Sequence, residues 1–442
     1  MERILKRSIE SINSLWHFYS VQKKYIDKKA KEGMKKNRLG FLTNYYFAML
    51  TLGSEEDKQR PTFVNLEKAI KKHITVLESS REGVLYQIKD GKGLQNNDVS
   101  KDACEYTRFA EMPFIHGDNT LITLITRFED FVSDYLSIVY LKYPKKYLDS
   151  KTITFSEISE MGVSSIKELI LRREIDRTMR ESFSSWFDTL EEHKLDFGIC
   201  KNELCSLAEI YARRNIIVHN SGYVNESYIS LSKATSATIG DRLFADDEYL
   251  CKAFSVVKTI VYSMLIEGVK FIDDNKPKYI ESIFINVFDE LCSGNYLTCI
   301  TVYKALTKCK YADESIKLMS KVNLWISEIE INGIESVKKE ISVLDTSALD
   351  KQFMLAKVTL LREYKKTTEI VEELLTKKEL PYSAIESWPL FMHYRKTEEY
   401  KTFRSNHPEL CGIKAVEPQN DSIVEDNRMA NSIREELKTS LN

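Results

Sequence analysis

At 442 residues the chain is longer than one hydrophobic core ordinarily serves, so two or three domains are expected. Apolar residues make up 43% and aromatics 11%, while glycine (15) and proline (8) are scarce, the balance of a chain built from long helices with few turns. The expected fold class is therefore all-α. Lys plus Arg (64) nearly cancels Asp plus Glu (66), so no chain-wide field draws in nucleic acid and any such surface must be local. The 8 cysteines are scattered with no Cys-x-x-Cys pair, which excludes a disulfide framework and reads as reduced thiols. Charges enter the N-terminal apolar pattern from the first residues, unlike a secretion signal, and the expected location is the cytoplasm.

Residues 1–104 form an expected N-terminal helical region. Ile4, Leu5, Ile9, Ile12, Leu15, Trp16 and Tyr19 recur at steps of three and four, the period of one helix face. A second helix is expected over Phe41–Leu52 and a third over Val64–Ile88, with a loop from Asp90 to Ser100 where turn formers collect. The stretch 22–38 carries Lys23, Lys24, Lys28, Lys29, Lys31, Lys35, Lys36 and Arg38 against Asp27 and Glu32. With Tyr25 among them, these cations are candidates for guiding an RNA backbone; a solvated helix face is the alternative.

A second unit is expected over 105–277, opening with helix Leu121–Tyr143 and stopping at Pro144, which cannot continue a helix. Further helices are expected at 165–193 and 201–220. After Gly222 a Ser-, Thr- and Tyr-rich segment suggests a short hairpin or an irregular excursion, with helix resuming near Glu248. The most apolar stretch, Ala253–Gly268, is broken by Lys258 and expected to be too short to cross a bilayer, so no membrane partner is expected. Over 278–408, LLREYKKTTEI (360–370) aligns with LFMHYRKTEEY (390–400), as a helix-pair solenoid similar to tetratricopeptide arrays would. Such repeats offer a concave surface for a protein partner or trigger. Residues 409–442 are expected to be a polar tail with one short helix.

The chemistry-bearing candidate is LCSLAEIYARRNIIVHNSG, residues 204–222. At about 100° per residue, Leu204, Leu207, Ala208, Tyr211 and Val218 are expected to form one apolar stripe, with Arg214, Asn215 and His219 along or beside it. Arg213 projects to the other side, where it can pair with Glu209 as a solvated surface residue. A guanidinium beside an apolar stripe is costly unless it is paired or lines a cleft, so Arg214 needs an explanation. Arg214 and His219 sit roughly 140° apart on an ideal helix. They converge only if the helix distorts or a second subunit completes the pocket.

Arg214-Asn215-Ile216-Ile217-Val218-His219 resembles the Arg-x(4–6)-His signature of the HEPN family, with its common polar residue after Arg, and Asn220-Ser221-Gly222 resembles that family's exit from the helix. More loosely, the resemblance spans 115–275, including Arg127–Phe131. It implies a helical bundle that is usually dimeric and that cleaves RNA, with transfer or messenger RNA as substrate and a toxin or antiviral abortive-infection role, by attack of the RNA's own 2′-hydroxyl without metal. In that reading His219 moves protons, since imidazole titrates at roughly pH 6.5. Arg214 would stabilise charge on the phosphate, while Asn215, Asn220 and Glu129 support the site. The alternative is an inert scaffold for protein interaction, with Arg214 and His219 bonded to Glu129 or Asp130. No histidine or cysteine spacing suits a metal, and no phosphate-binding glycine loop is present, so no cofactor is expected.

Overall fold

No proline interrupts the first fifty-odd residues, and the chain there forms one helix, α1 (Glu2–Leu52), where two were expected. The computed structural model describes residues 2–80, 83–89, 99–148, 152, 163–232 and 237–410. The fold is mostly helical, in keeping with the all-α class. After α1 come α2 (Glu55–Gln59), α3 (Pro61–Ile70), β1 (Ile74–Ser80), β2 (Gly83–Ile88), α4 (Val99–Lys142) and α5 (Pro144–Leu148). Then follow α6 (Val163–Met179), α7 (Phe183–Glu191), α8 (Lys201–Asn220), α9 (Glu226–Ser232) and α10 (Asp247–Gly268). The last third holds α11 (Lys276–Cys292), α12 (Tyr296–Lys308), α13 (Glu314–Asn332), α14 (Lys338–Ser342), α15 (Lys351–Leu360), α16 (Tyr364–Thr376), α17 (Tyr382–Ser387) and α18 (Glu398–Asn406). Of the loop expected from Asp90 to Ser100, residues 90–98 lie outside the described residues and Val99 and Ser100 belong to α4; of the tail expected over 409–442, residues 411–442 lie outside them, and 409–410 close a 3-10 turn with Leu410 buried.

The third helix expected over Val64–Ile88 is corrected: helix stops at Ile70, and β1 and β2 pair antiparallel with Ile74 opposite Ile88. The reason is legible afterwards in the period-two alternation of Val84, Tyr86 and Ile88, which are half-buried while Leu85 and Gln87 are exposed. The expected helix from Leu121 begins much earlier, at Val99, and runs through Pro113. It ends at Lys142, and Pro144 opens α5, as its missing N–H allows. The expected helix over 165–193 divides at Ser182, whose hydroxyl caps α7 by accepting from the Ser185 amide.

Contacts divide the molecule into two compact units that are not consecutive along the chain. One gathers the described residues of 14–123 with 244–246, the other those of 1–13, 124–243 and 247–442. In the first unit α1 and α4 lie close together because small residues recur on one face of α1. Ala30, Gly33, Asn37 and Gly40 are buried. A Cβ at Gly33 would fall 2.2 Å from the Phe109 ring, and one at Gly40 would fall 2.2 Å from the Asp102 Cβ. Phe41 stacks on Tyr106 and Tyr19 on His116 along the same seam. At its end Tyr46, Phe63, Ile70, Ile74 and Val99 make a separate core that the hairpin covers with Val76, Tyr86 and Ile88.

The second unit is organised around α10. With its 3-10 extension to Phe271 this helix is long and apolar enough to cross a membrane by length and composition, longer than the sequence suggested, but 83% of its most apolar 18-residue window is buried by protein. Its charge is neutralised internally. Lys258 Nζ lies 2.9 Å from Glu290 of α11, with side chains 10% and 4% exposed. Asn295 donates to the same carboxylate, and Ser255 and Thr259 bond Thr298 of α12. Helices α12 and α13 pack side by side, as do α15 and α16.

The two aligned segments of the last third adopt different local structures: 360–370 spans the α15–α16 turn, whereas 390–400 passes through two 3-10 turns into α18. Thr367 lies inside α16 and bonds back to the Glu363 carbonyl, while Thr397 caps α18. Likeness of residues therefore does not carry likeness of backbone here.

Removing one member of a buried ion pair strands the other, so Lys258→Met should lower stability by about 3–5 kcal/mol. Lys258→Met/Glu290→Gln should recover most of that loss in urea melts followed by circular dichroism; a double variant as unstable as the single would show that the charge is not the cause. Gly33→Ala should lower stability by about 1–3 kcal/mol, because the Phe109 ring must move.

Candidate functional site

Helix α8 follows a 3-10 turn at Gly198–Cys200 and ends in a left-handed residue, Ser221 (φ 51°), followed by Gly222 (φ 82°). The Ser221 and Gly222 amides both reach the Ile216 carbonyl, closing the helix end. Gly222 is required twice over: its φ is positive, and a Cβ there would sit 2.8 Å from the Leu243 carbonyl oxygen. The chain then doubles back. Tyr223 bridges Arg242, with the Val224 amide on the Asp241 carbonyl and the Leu243 amide on the Gly222 carbonyl. Where a hairpin or irregular excursion was expected, the structure has this bridge and the short helix α9; residues 233–236 lie outside the described residues.

Burial on α8 differs from the expected stripe. Leu207, Ile210, Ala212 and Ile216 are buried, whereas Val218 is 43% exposed. Those buried positions spread round the helix, because α10 packs on α8 as well as α9, and Ala212 and Ile216 join Val224 and Tyr228 of the α9 side in a small core.

The expectation that Arg213 is a solvated surface residue is corrected for the same reason: its side chain is 15% exposed. The expected pairing with Glu209 is present at 2.9 Å. Arg213 also lies 4.0 Å over the Tyr249 ring, and Glu209 accepts from the Tyr228 hydroxyl at 2.6 Å and the Tyr249 hydroxyl at 2.7 Å. Burial, then the Glu209 carboxylate, pushes the Tyr228 phenol up to about 12. This closed network ties α9 and α10 to α8.

Arg214 is placed differently. Its Nη1 donates to Asn215 Oδ1 at 3.2 Å, and its buried Nε has no hydrogen-bond partner. Tyr211 and Glu129 are its electrostatic neighbours. No ion pair within 4 Å joins Arg214 to Glu129 or Asp130 among the described residues. The Tyr211 hydroxyl is also buried, faces Glu129 without a regular hydrogen bond, and its ring stacks on Phe183. Burial is the main cause that raises the Glu129 carboxyl above its ordinary range, partly offset by the Arg214 charge and Tyr211.

His219 is exposed on the last turn of α8. It has no hydrogen bond, ion pair or ring contact among the described residues, whereas His116, His193, His393 and His407 are each engaged by a neighbour. Asn220 is occupied structurally, its Nδ2 donating to the Tyr223 carbonyl at 2.7 Å. The structure thus gathers Glu129, Tyr211, Arg214 and Asn215 in one region of α4 and α8 and leaves His219 at the exposed helix end. Sequence reasoning missed Arg242, an exposed cation whose Nε lies 3.3 Å from the Ser221 carbonyl. The bridge to Tyr223 puts it there, and its distance in sequence hid it. No group of histidine, cysteine and carboxylate side chains among the described residues is arranged to hold a metal ion.

The basic residues of α1 lie in the other compact unit. Lys24, Lys28, Lys29, Lys35, Lys36 and Arg38 are exposed, whereas Lys23 is half-buried and 3.5 Å from Asp27. Lys29 lies 3.3 Å from Glu32. Compared with known proteins, the chain matches no family model, no curated protein and no solved structure.

The two neighbouring arginines should separate in stability. Arg213→Ala should lower it by about 2 kcal/mol, because Glu209 keeps its phenols but loses its cation. Arg214→Met should change it by less than about 0.5 kcal/mol or raise it, since a buried unpartnered Nε disappears. For Glu129, a folded-state pKa above the unfolded one means that ionisation opposes folding. Its contribution is present below the unfolded pKa and lost as pH rises through the folded one. Glu129→Gln should therefore melt later than the parent at pH 8, with the difference vanishing as pH falls to about 4.

Proposed function

We propose that the chain is a metal-independent endoribonuclease of HEPN type, with Arg214 and His219 as its catalytic residues. The observation that carries this reading is the contrast between adjacent arginines. Arg213 is saturated by Glu209, Tyr228 and Tyr249, while Arg214 keeps a buried Nε without a partner on the same helix as the exposed His219. An arginine held only by a neutral amide oxygen keeps guanidinium donors and a full charge for a phosphate.

In this mechanism the 2′-oxygen of RNA bonds to the adjacent phosphorus while the bond from phosphorus to the next 5′-oxygen breaks. One His219 imidazole takes the 2′-hydroxyl proton. The imidazolium of a second copy of His219 delivers a proton to the departing 5′-oxygen, leaving a cyclic phosphate and a 5′-hydroxyl. Arg214 stabilises the charge gathering on the phosphate oxygens, with Asn215 holding its Nη1, and exposed Arg242 adds positive potential at the helix end. Two copies meeting at this end would also overcome the angular separation of Arg214 and His219; exposed Val218 and Tyr223 supply apolar surface for the contact. A cytoplasmic toxin or abortive-infection effector is the biological setting this chemistry suits.

A second reading has its own observation. Glu129 is an electrostatic neighbour of Arg214, which suits a structural arginine inside an inert scaffold. Incubation of purified protein with total RNA and transfer RNA in EDTA separates the two readings. A nuclease cleaves in EDTA and leaves cyclic-phosphate ends. His219→Ala should lower its rate at least 100-fold, and Arg214→Ala by a similar factor, with helical content unchanged. Cleavage retained by both variants would remove these residues from the mechanism.

A further inference from the structure

One face of α1 carries a row of exposed cations, and all of them but Lys31 are used neither by the fold nor by the proposed nuclease site. Lys24, Lys28, Lys31, Lys35 and Arg38 recur at steps of four and three. They fall within roughly 80° of one another on an ideal helix and extend over about 21 Å of its length. All are exposed. The packed residues Ala30, Gly33, Asn37 and Gly40 lie about 160° round the helix, so the cations occupy the side turned away from α4. Lys23 and Lys29, which flank this line, are the ones joined to Asp27 and Glu32. Among the described residues Lys24, Lys28, Lys35 and Arg38 have no carboxylate partner. Like charges three and four apart on a helix repel, as Lys24 with Lys28 and Lys35 with Arg38 do here, and an anion along the row relieves that repulsion. The line also has an aromatic end. Phe18, Val21 and Tyr25 are 58%, 55% and 59% exposed, and they lie beside the row at its N-terminal end.

We infer that this face of α1 binds single-stranded nucleic acid, its cations tracking the phosphates and Phe18 and Tyr25 stacking on bases at one end. A row of charges spaced about 5 Å apart along the helix axis, one every three or four residues, matches a flexible strand's backbone, and aromatic faces accept any base. A helix lying on an anionic lipid surface would need apolar residues along its whole length. Here they stop at Tyr25 while the cations continue to Arg38, and the opposite side is filled by α4. The inference does not rest on the nuclease reading, since it concerns binding by the other compact unit.

The test uses the full chain carrying His219→Ala, in EDTA, with a fluorescein-labelled 16-nucleotide mixed-sequence RNA followed by anisotropy over a salt series. The stripe variant is Lys24→Gln/Lys28→Gln/Lys35→Gln/Arg38→Gln, with glutamine chosen to preserve helix propensity. A control neutralises the same number of exposed cations elsewhere, at Lys338, Lys339, Lys365 and Lys366. The stripe variant should lose affinity on the order of 100-fold at 0.1 M salt, and the magnitude of its logarithmic salt slope should fall by about 3. The control should match the parent, and helical content should be equal in all three. Equal affinity and slope in parent and stripe variant would overturn the inference. So would absence of RNA binding together with stripe-dependent sedimentation on phosphatidylserine vesicles, which would assign the face to lipid.

Discussion

The ion pair between Lys258 and Glu290 sets the frame for the larger compact unit. Charge is placed inside protein only where partner and hydrogen bonds are in register, and this pair comes with Asn295, Ser255, Thr259 and Thr298 around it. Apolar surfaces slide past one another at little cost, whereas a row of directional polar contacts does not. The seam therefore fixes α10 against α11 and α12. Helix α8 is referred to the same frame, because Glu209 holds Tyr249 near the start of α10.

That frame gives adjacent arginines opposite fates. Arg213 faces α9 and α10, where a carboxylate and two phenols complete its needs. Arg214 turns toward Tyr211 and α4, where the nearby carboxylate is itself desolvated and no ion pair closes. A saturated arginine holds a structure together, and an unsaturated one has affinity to spend on a ligand. The nuclease reading grows from this asymmetry together with the exposed imidazole of His219, which has no partner among the described residues.

In the smaller unit a single helix, α1, serves two environments at once. Glycines on one side make room for the Phe109 and Asp102 side chains of α4, while lysines on the other side meet solvent. The two stripes share the same steps of three and four. Helical periodicity alone thus explains why a run of mixed composition can be closely packed and strongly charged over the same residues.

By itself the sequence determined the helical class, the stop at Pro144 and the helix over 201–220, because these depend on local backbone rules and a period within one element, while the exit at Gly222 was read from the family resemblance. It also pointed to Arg214 as a cation needing an explanation and to the pairing of Arg213 with Glu209, both of which follow from positions on one helix. It misread residues 71–88, where a two-residue period was taken for helix, and it placed Arg213 in solvent. Neither the covering of α8 by α9 and α10, nor the arrival of Arg242 at the helix end, nor the partner of Lys258 is written in neighbouring residues. Those were decided by tertiary structure, since burial and the pairing of charges depend on which distant segments close over a surface, and helical periodicity describes only one surface at a time.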